Sequence, residues 1–387
     1  AEGALDALVR PVLFVGSSQG NRERGEVTMD SRVDPITLAE KVFAILSNGS
    51  FSATYKYALL LALIDLCIEK VAIAQLPRDA VTITTHEIAE RVVDLYWPQC
   101  VPWKNAEVLR QYNSRDRNAA IVSVVAGFRK AVGFGISAVN EARRVEPMLY
   151  RKLLKDVERT LIKDPIPRLQ YFGGKEERFL YEYAWSKEAI PHLAELDNIL
   201  TLRPGVAEGL IGLNAVLRPI IQHGWLREVR RINGLEDAEL EMFFFSRERE
   251  SLEKVRLPLL QLQAERCFFC EAKVADQPQV DHFLPWARFP TNLVENLVVA
   301  HADCNGSKSD FLASGRHVIN WTARAKTHQG VLEKIGTDYG LGSDGPRIVK
   351  VAAVIYGQLP DASLLWDGKK KFEPLDRDKV LKLFHAA

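Results

Sequence analysis

The sequence contains no hydrophobic run long enough to cross a membrane, and it contains few cysteines. No apolar stretch among the 387 residues approaches the roughly 20 residues that a membrane-spanning helix requires. The apolar residues 8–15 are interrupted by Arg10 and Pro11 and do not have the layout of a secretory signal. Five cysteines are too few for a disulfide scaffold, and three of them fall within residues 267–304. This distribution favours a metal site over disulfides and predicts a soluble protein of the cytoplasm, with no membrane partner.

The chain also lacks an excess of charge of either sign. It carries 51 basic and 50 acidic side chains, for a formal net charge of +1. Any surface that binds nucleic acid must therefore be a local patch. Hydrophobic residues make up 47% of the chain, which excludes a disordered or fibrous protein. A globular chain of this length predicts two or three domains with a large buried core.

The first 28 residues differ from the rest of the chain. They carry no sustained periodicity, whereas regular patterning begins after Met29. The residues GEVTM at 25–29 could also be the translation of a ribosome-binding sequence, because Glu and Val codons can spell GAGGT upstream of ATG. We therefore predict that residues 1–28 are a non-native leader and that the native chain starts at Met29. The alternative is a genuine flexible arm.

Residues 29–165 are predicted to form a helical domain that recognises DNA or a partner. Asp34 followed by Pro35 is typical of a helix start. Residues 54–70 are so apolar that their helix should lie at the centre of this domain. Residues 84–87, TTHE, have the spacing of a capping box and follow a short strand pattern. A strand before a capped helix is compatible with a winged helix, but a plain helical bundle is the favoured alternative.

Basic residues are frequent in the second half of this predicted domain. They either form a face that contacts phosphates or are simply solvated. The residues concerned are Arg110, Arg115, Arg117, Arg129, Lys130, Arg143 and Arg144.

A domain boundary is predicted near residue 165, because prolines and glycines cluster between 165 and 175. We assign residues 166–263 to a connecting region that is helical or α+β. Within it, the apolar pattern predicts helices at 206–221 and 237–263, and the second helix leads directly to Cys267.

The last part of the chain is predicted to form a small module at 264–325 and an extension at 326–387. The extension should contain a helix at 347–358, a hairpin around Asp367-Gly368 and a closing helix at 376–385. The predicted fold class is therefore α+β and mostly helical. A helical N-terminal region would precede a small metal-stapled module and a helix and hairpin extension.

Two ligand pairs predict a structural zinc site. Cys267 and Cys270 are separated by two residues, and so are His301 and Cys304. Zinc takes four tetrahedral ligands from thiolate sulfur and imidazole nitrogen, and two such pairs on tight turns can converge on one ion. Because a small motif has little core of its own, binding of Zn²⁺ would supply its folding free energy.

A second group of residues, between these pairs and directly after the second one, has the chemistry of a hydrolytic site. Phosphodiester hydrolysis requires a base that activates water and a cation that stabilises charge on the phosphate. His282 suits the first task, because the ordinary pKa of histidine lies near working pH. Asp281 and Asn305 offer the hard oxygen ligands that Mg²⁺ prefers. Adjacent strand residues point to opposite sides, so Asp281 and His282 must lie where a strand bends or ends.

The segments VDHFLPW, ENLVVA and CNGSKSD resemble, in this order, the two strands and the helix start of the HNH, or ββα-metal, endonucleases. The resemblance covers about 45 residues. It implies that His282 is the general base, that Asp281 and Asn305 bind one divalent ion, and that Asn296 braces the loop carrying the base. Asn305 replaces the final histidine of the name-giving pattern, as in the Asn variant of the family. This oxygen ligand favours Mg²⁺ or Mn²⁺ over softer metals.

Two further basic residues are candidates for nucleic-acid contacts. Lys308 lies three residues after Asn305, so on a helix it shares that face and could meet a phosphate oxygen as part of the catalytic group. Arg288 lies between the strands and could touch DNA. Solvation at the surface is the alternative for both.

The function predicted from these observations is a metal-dependent DNA endonuclease with a one-metal HNH mechanism. The resemblance extends to bacterial HNH proteins, some of them near defence genes, which suggests restriction or phage defence. The expected partners are double-stranded DNA, a second copy of the chain if both strands are cut, and a defence-system protein. The alternatives are a zinc-stabilised DNA-binding or scaffold protein with a silent nuclease site, and an RNA-cleaving nuclease or toxin.

Overall fold

The computed structural model describes most of the chain after residue 31. The described residues are 32–48, 53–74, 81–105, 107–114, 116–136, 139–172, 174–185, 197–235, 240, 243–244 and 252–385. All of them belong to one compact unit, Arg32–Ala387. The predicted leader 1–28 with its start at Met29, Arg115, and most of the stretch 237–251 lie outside the described residues. The predicted domain boundaries stay predictions.

The described residues up to 235 are mainly helical. In chain order the α-helices are α1 (Pro35–Asn48), α2 (Tyr55–Ala74), α3 (Thr85–Tyr96), α4 (Ala120–Val132), α5 (Val139–Val145), α6 (Pro147–Lys163), α7 (Pro165–Leu169), α8 (Val206–Gly212) and α9 (Asn214–Asn233).

Side-chain caps fix two helix starts at the predicted places. Asp34 Oδ1 accepts hydrogen bonds from the amides of Ile36 and Thr37, each at 3.0 Å, and α1 begins at Pro35. At the start of α3, Thr84 Oγ1 accepts from the Glu87 amide at 3.2 Å, while Glu87 Oε2 accepts from the Thr84 amide at 2.9 Å. Both predicted starts are confirmed, and each cap satisfies amides that a helix end leaves unpaired.

Helix α2 lies at the centre of the helical part, as predicted. None of residues 57–64 is more than 3% exposed, and the helix packs against α3, α8 and α9. A helix that is apolar on all sides can only be stable when it is surrounded. Cys67 on this helix is fully buried, and burial raises the pKa of its thiol, which suits a core residue.

A small antiparallel sheet accompanies these helices. Its strands are β1 (Thr82–Thr84), β4 (Tyr181–Tyr183) and β5 (Ile199–Leu202), in the order β1-β5-β4, and a separate pair joins β2 (Tyr171–Phe172) and β3 (Lys175–Glu176). Ile83 lies opposite Leu200, so β1 adds to the edge of the antiparallel pair β5 and β4, far along the chain. The helical bundle and the winged helix both stay predictions.

The prediction of a single helix at 206–221 is wrong in one respect. The chain turns at Leu213, so α8 ends at Gly212 and α9 starts at Asn214. Gly209 packs so closely on α1 that an added Cβ would lie 2.5 Å from Leu38 Cδ2. The break lets both α8 and α9 pack against α2, while α8 also contacts α1.

The elements after residue 252 alternate between short strands and helices. They are α10 (Arg256–Leu262), β6 (Gln279–His282), β7 (Leu297–Ala300), α11 (Ala302–Lys308), α12 (Gly315–Thr327), α13 (Gln329–Asp338), α14 (Gly345–Gly357), β8 (Leu364–Gly368), β9 (Lys371–Pro374) and α15 (Arg377–His385). Strands β6 and β7 pair antiparallel, and so do β8 and β9. The predicted helix, hairpin and closing helix of the extension are confirmed.

The predicted class, α+β and mostly helical, is confirmed by these elements. Helix α2 has 20 residues, but Lys56, Asp65, Glu69 and Lys70 interrupt its apolar sequence. Among the helices that the structure describes, none has both the length and the apolar character that a membrane crossing requires.

Candidate metal and catalytic sites

Strands β6 and β7 and helix α11 form a ββα unit. Asp281 lies opposite Val298 in the strand pair, and His282 lies opposite Leu297. All four residues of β7 are fully buried. Gln263, just after α10, covers the outer edge of β7, because its side chain donates to the Val299 carbonyl at 2.8 Å and accepts from the Val299 amide at 2.8 Å. The unit is therefore held by the helix that leads into it.

The four predicted zinc ligands converge at one end of the ββα unit. The ligand atoms of Cys267, Cys270, His301 and Cys304 all lie within 4.8 Å of one another. Cys270 Sγ is 3.3 Å and Cys304 Sγ 4.0 Å from His301 Nδ1. Tetrahedral zinc with bonds of roughly 2.0–2.3 Å separates its ligand atoms by about 3.3–3.8 Å. The donor set and its spacing fit this ion.

The ring of His301 is oriented for metal binding by a hydrogen bond on its far side. His301 Nε2 donates to the carbonyl oxygen of Lys273 at 3.1 Å. The proton on Nε2 leaves the lone pair on Nδ1, which faces the cysteine sulfurs. His301 thus has the tautomer that coordination through Nδ1 requires.

The thiols at this site are held close together. Burial, and then the neighbouring Cys267 and Cys270, raise the pKa of Cys304 to about 12. Three thiolates at such distances repel one another unless a cation lies between them. The cluster therefore has the chemistry of a metal site and not that of a reactive thiol.

The candidate catalytic histidine lies at the end of β6. His282 is the last residue of the strand, where the sequence pattern required a bend or an end. Its Nε2 donates to Asn292 Oδ1 at 2.9 Å, and its ring lies against Trp286 with centroids 5.1 Å apart. A proton on Nε2 makes Nδ1 the basic nitrogen. Asp281 Oδ1 accepts from the His282 amide at 2.8 Å, which ties the two residues together.

Lys308 is placed differently from the prediction. Its side chain is fully buried, and its ammonium donates to the His282 carbonyl at 2.8 Å and lies 3.1 Å from Asp281 Oδ2. Helix α11 packs against β6, so position 308 points into the unit. The predicted phosphate contact is therefore replaced by an internal one that holds Asp281 and His282 in register.

Two asparagines complete the group. Asn296 is fully buried, and its side chain accepts from the Leu284 amide at 2.8 Å and donates to the Leu284 carbonyl at 3.1 Å. It therefore holds the chain just after His282. Asn305 lies one helical turn before Lys308 on α11 and donates to Gln279 Oε1 at 2.9 Å. The two asparagine side chains thus act at opposite ends of β6, Asn305 at its first residue and Asn296 just beyond its last.

The family comparisons agree with this geometry. Residues 36–243, more than half of the chain, match the family model described as Domain of unknown function (DUF8808). The chain belongs to this family. Residues 268–314 match the HNH endonuclease model, which confirms the predicted resemblance. No curated protein and no solved structure matches the chain. Below, residues 36–243 are the DUF8808 region and residues 268–314 are the HNH module.

The HNH module contacts the DUF8808 region beside the candidate site. Asn214 Nδ2, on α9, donates to the Arg288 carbonyl at 2.6 Å. The Arg288 side chain is half-buried, and burial lowers its pKa although Asp310 opposes this. Arg288, predicted as a DNA contact, therefore joins the HNH module to the DUF8808 region through its carbonyl oxygen, while its side chain is half-buried.

Two residues of this site were not identified from the sequence. Asn292 was not singled out, although a polar residue ten positions after His282 in a loop with Pro290 and Thr291 was a usable signal. Trp286 was not singled out as a site residue either, although its ring lies against that of His282.

Proposed function

We propose that the HNH module is a metal-dependent DNA endonuclease that hydrolyses phosphodiester bonds with one divalent ion. The observation that carries this proposal is the placement of His282 at the end of β6, next to Asp281. Asn305 lies on helix α11, which packs against this strand. Asp281 and Asn305 would hold Mg²⁺ or Mn²⁺, which prefer oxygen ligands. The ion would stabilise negative charge on the phosphate and on the departing 3′ oxygen.

The chain's own residues orient the base and the attacking water. His282 takes a proton from water at Nδ1, because Asn292 holds the proton on Nε2. Asn296 fixes the backbone after the histidine, and Lys308 fixes the backbone at the histidine and the carboxylate before it. Attack of the activated water on phosphorus breaks the bond to the 3′ oxygen and leaves a 5′ phosphate. One module cuts one strand, so a double-strand break needs either a dimer or two separate cutting events.

A structural Zn²⁺ at Cys267, Cys270, His301 and Cys304 would support this site. Cys304 and Asn305 are neighbours on α11, so the zinc ligand and the proposed catalytic ligand share one helical turn. The described cysteines are all unpaired thiols, which suits the reducing cytoplasm where DNA is found. Restriction or phage defence, with a defence-system partner, is the biological setting that we propose from the resemblance to bacterial HNH proteins.

Cleavage of matched substrates tests this function against its alternatives. We expect the purified protein to nick supercoiled plasmid in Mg²⁺, to stop in excess EDTA, and to leave a structured RNA intact. Modified and unmodified plasmid should be run in parallel. Retention of DNA without cleavage under Mg²⁺ or Mn²⁺ would support the silent scaffold, and preferential cleavage of RNA would support the RNA nuclease.

The structure separates the basic residues predicted for the N-terminal part into those with internal contacts and those at the surface. Arg110 donates to the carbonyls of Ile232 at 2.9 Å and Ser114 at 3.1 Å, and Arg129 is buried against the Trp97 carbonyl. These contacts are internal. Arg117, by contrast, lines an open cleft.

This cleft has the charge that a nucleic-acid backbone requires. It has a volume of about 640 Å³ and contains four basic side chains and one acidic side chain. Arg159 and Lys163 are one turn apart on α6, and Arg168 lies 3.6 Å from the acid, Asp164. The guanidinium of Arg117 stacks on Tyr112 at 5.0 Å. We propose that DNA phosphates bind here, so that the DUF8808 region holds the substrate.

Charge reversal in the cleft should weaken DNA binding. For the double variant Arg159→Glu and Lys163→Glu, we expect a fall in duplex affinity of roughly tenfold or more and a salt slope smaller by about 1–2 units. Fluorescence anisotropy over a salt series measures both. The matched control is Lys130→Glu with Arg144→Glu, two exposed residues of the same region that do not line the cleft. Equal losses in the two double variants would contradict a specific role for the cleft.

A further inference from the structure

Helix α6 exposes a row of basic side chains that the cleft accounts for only in part. One side of the helix is apolar and buried, and it packs against α3 and α4. The opposite side carries five exposed basic residues, which together are called the α6 face below. They are Arg151, Lys152, Lys155, Arg159 and Lys163. Only the last two of them line the cleft.

The α6 face lacks the acidic residues that would neutralise it. None of its five side chains forms an ion pair with another described residue, and Arg151 donates to the neutral Sδ of Met148 at 2.7 Å. Glu158 of the same helix is engaged elsewhere, because it accepts from Thr85 Oγ1 at 2.5 Å. Asp156 is exposed beside the cations. Helix α4, which packs beside α6, contains no acidic residue. Five cations therefore face one exposed carboxylate.

The cations of the α6 face form a row along the helix. Arg151, Lys155, Arg159 and Lys163 follow one another at intervals of four residues. Neighbours in the row are therefore about 6 Å apart along the helix axis, and the row spans about 18 Å. Like charges at this interval destabilise a helix. A polyanion lying along the row would remove this repulsion, so the arrangement favours such a partner.

The α6 face extends from the cleft towards the candidate catalytic site. The last turn of α6 lines the cleft. At the other end of the helix, Tyr150 lines a cavity of about 580 Å³, and the opposite wall of this cavity includes Trp286 and Asn292. Both of these residues contact the side chain of His282. The helix thus connects the proposed DNA cleft with the surroundings of the proposed base.

We infer that the α6 face binds the phosphate backbone of the DNA substrate, so that the duplex follows this helix from the cleft towards the HNH loop at 286–293. This inference rests on the proposed function, in which DNA is the substrate. Because phosphates of one strand recur every 3.4 Å along the axis of a duplex, about five of them lie along a row of about 18 Å. The five cations of the α6 face match that number.

The composition of the α6 face favours nucleic acid over a protein partner. Between Arg151 and Lys163, every exposed residue of the helix is charged. The core of a protein interface is instead apolar and depleted of charged residues. A phosphate backbone requires no apolar contact, and its binding is driven by the release of counterions from the DNA. Such contacts position a duplex without reading its sequence.

Charge reversal in the part of the α6 face outside the cleft tests this inference. For Lys152→Glu with Lys155→Glu, we expect duplex affinity to fall roughly tenfold or more. The salt slope should be smaller by about 2 units, since each lost phosphate contact removes about 0.9 unit. Fluorescence anisotropy in EDTA over a salt series measures both without cleavage. The matched control is Lys379→Glu with Lys382→Glu, two exposed lysines with the same spacing on α15, which should bind like wild type.

A combined variant tests whether the α6 face and the cleft contact the same duplex. Adding Arg159→Glu and Lys163→Glu should reduce the salt slope about twice as far as either pair alone. A slope equal to that of the cleft pair alone, an affinity equal to that of the control, or tighter binding of an RNA duplex would overturn the inference. If the charge-reversed variant does not fold, Lys152→Ala with Lys155→Ala provides the second test. Its expected loss of affinity is three- to tenfold, and unchanged affinity would again overturn the inference.

Failure of this inference is distinguishable from failure of the proposed cleavage. Binding in EDTA needs no catalysis, so a wild type that binds DNA without nicking it would contradict the cleavage and leave the α6 face supported. In nicking assays, Lys152→Glu with Lys155→Glu should raise KM and leave kcat unchanged, because a backbone contact binds the ground state and the transition state alike. A lower kcat at an unchanged KM would contradict a role in substrate binding.

Discussion

Replacing His282 with alanine should abolish plasmid nicking in Mg²⁺. General base catalysis contributes about 10²–10⁴-fold to the rate, so the nicking rate should fall by roughly that factor. Binding of DNA should change little, because His282 lies at a strand end and its hydrogen bond to Asn292 joins side chains and not backbone. The measurement is the initial rate of conversion from supercoiled to open-circular plasmid, with binding measured separately by anisotropy.

The control for this result is a histidine outside the site. His328 is exposed at the junction of α12 and α13, and His328→Ala should nick plasmid at the wild-type rate. Equal nicking by wild type and His282→Ala would contradict the proposed mechanism. It would also indicate that a contaminating nuclease or another site produces the cleavage. Loss of DNA binding in His282→Ala would instead assign a structural role to the ring.

The candidate site could be predicted from the sequence because its residues are close together along the chain. The zinc ligands occur as two pairs with fixed spacing, and Asn305 directly follows Cys304. Short turns and a single helical turn then leave little freedom in how they converge. The four ligand atoms do converge, and the match to the HNH endonuclease model confirms the family resemblance.

What the sequence could not predict depends on contacts between distant segments. Lys308 has the spacing of a phosphate contact, but it is buried because α11 packs on β6. Arg110 belongs to a group of basic residues, yet its guanidinium donates hydrogen bonds to the carbonyl oxygens of residues 114 and 232. Asn292 becomes important only because the loop returns it to His282. Charge and spacing alone do not reveal which of several partners a side chain meets.

Replacing Cys304 with serine should unfold the ββα unit. The remaining ligands cannot complete a tetrahedral thiolate site, and metal binding supplies the folding free energy of such small units. Loss of a structural metal is among the changes that cost more than about 4 kcal/mol of unfolding free energy. We expect one zinc per chain in the wild type by elemental analysis and none in the variant. Thermal unfolding followed by circular dichroism should show the corresponding destabilisation.

Asp303→Asn is the matched control, because Asp303 is the neighbour of Cys304 on α11. Its side chain is exposed, and Lys369, which lies 2.7 Å away, lowers its pKa, so it takes no part in the thiol cluster. The control should keep its zinc and its nicking rate. In Cys304→Ser, excess Mg²⁺ should not restore nicking. Asn305 moves with its neighbour, so the proposed Mg²⁺ site keeps Asp281 but loses its second oxygen ligand. A zinc-free variant that still nicks at the wild-type rate would show that the two sites are independent, and that the shared helical turn of Cys304 and Asn305 has no role in catalysis.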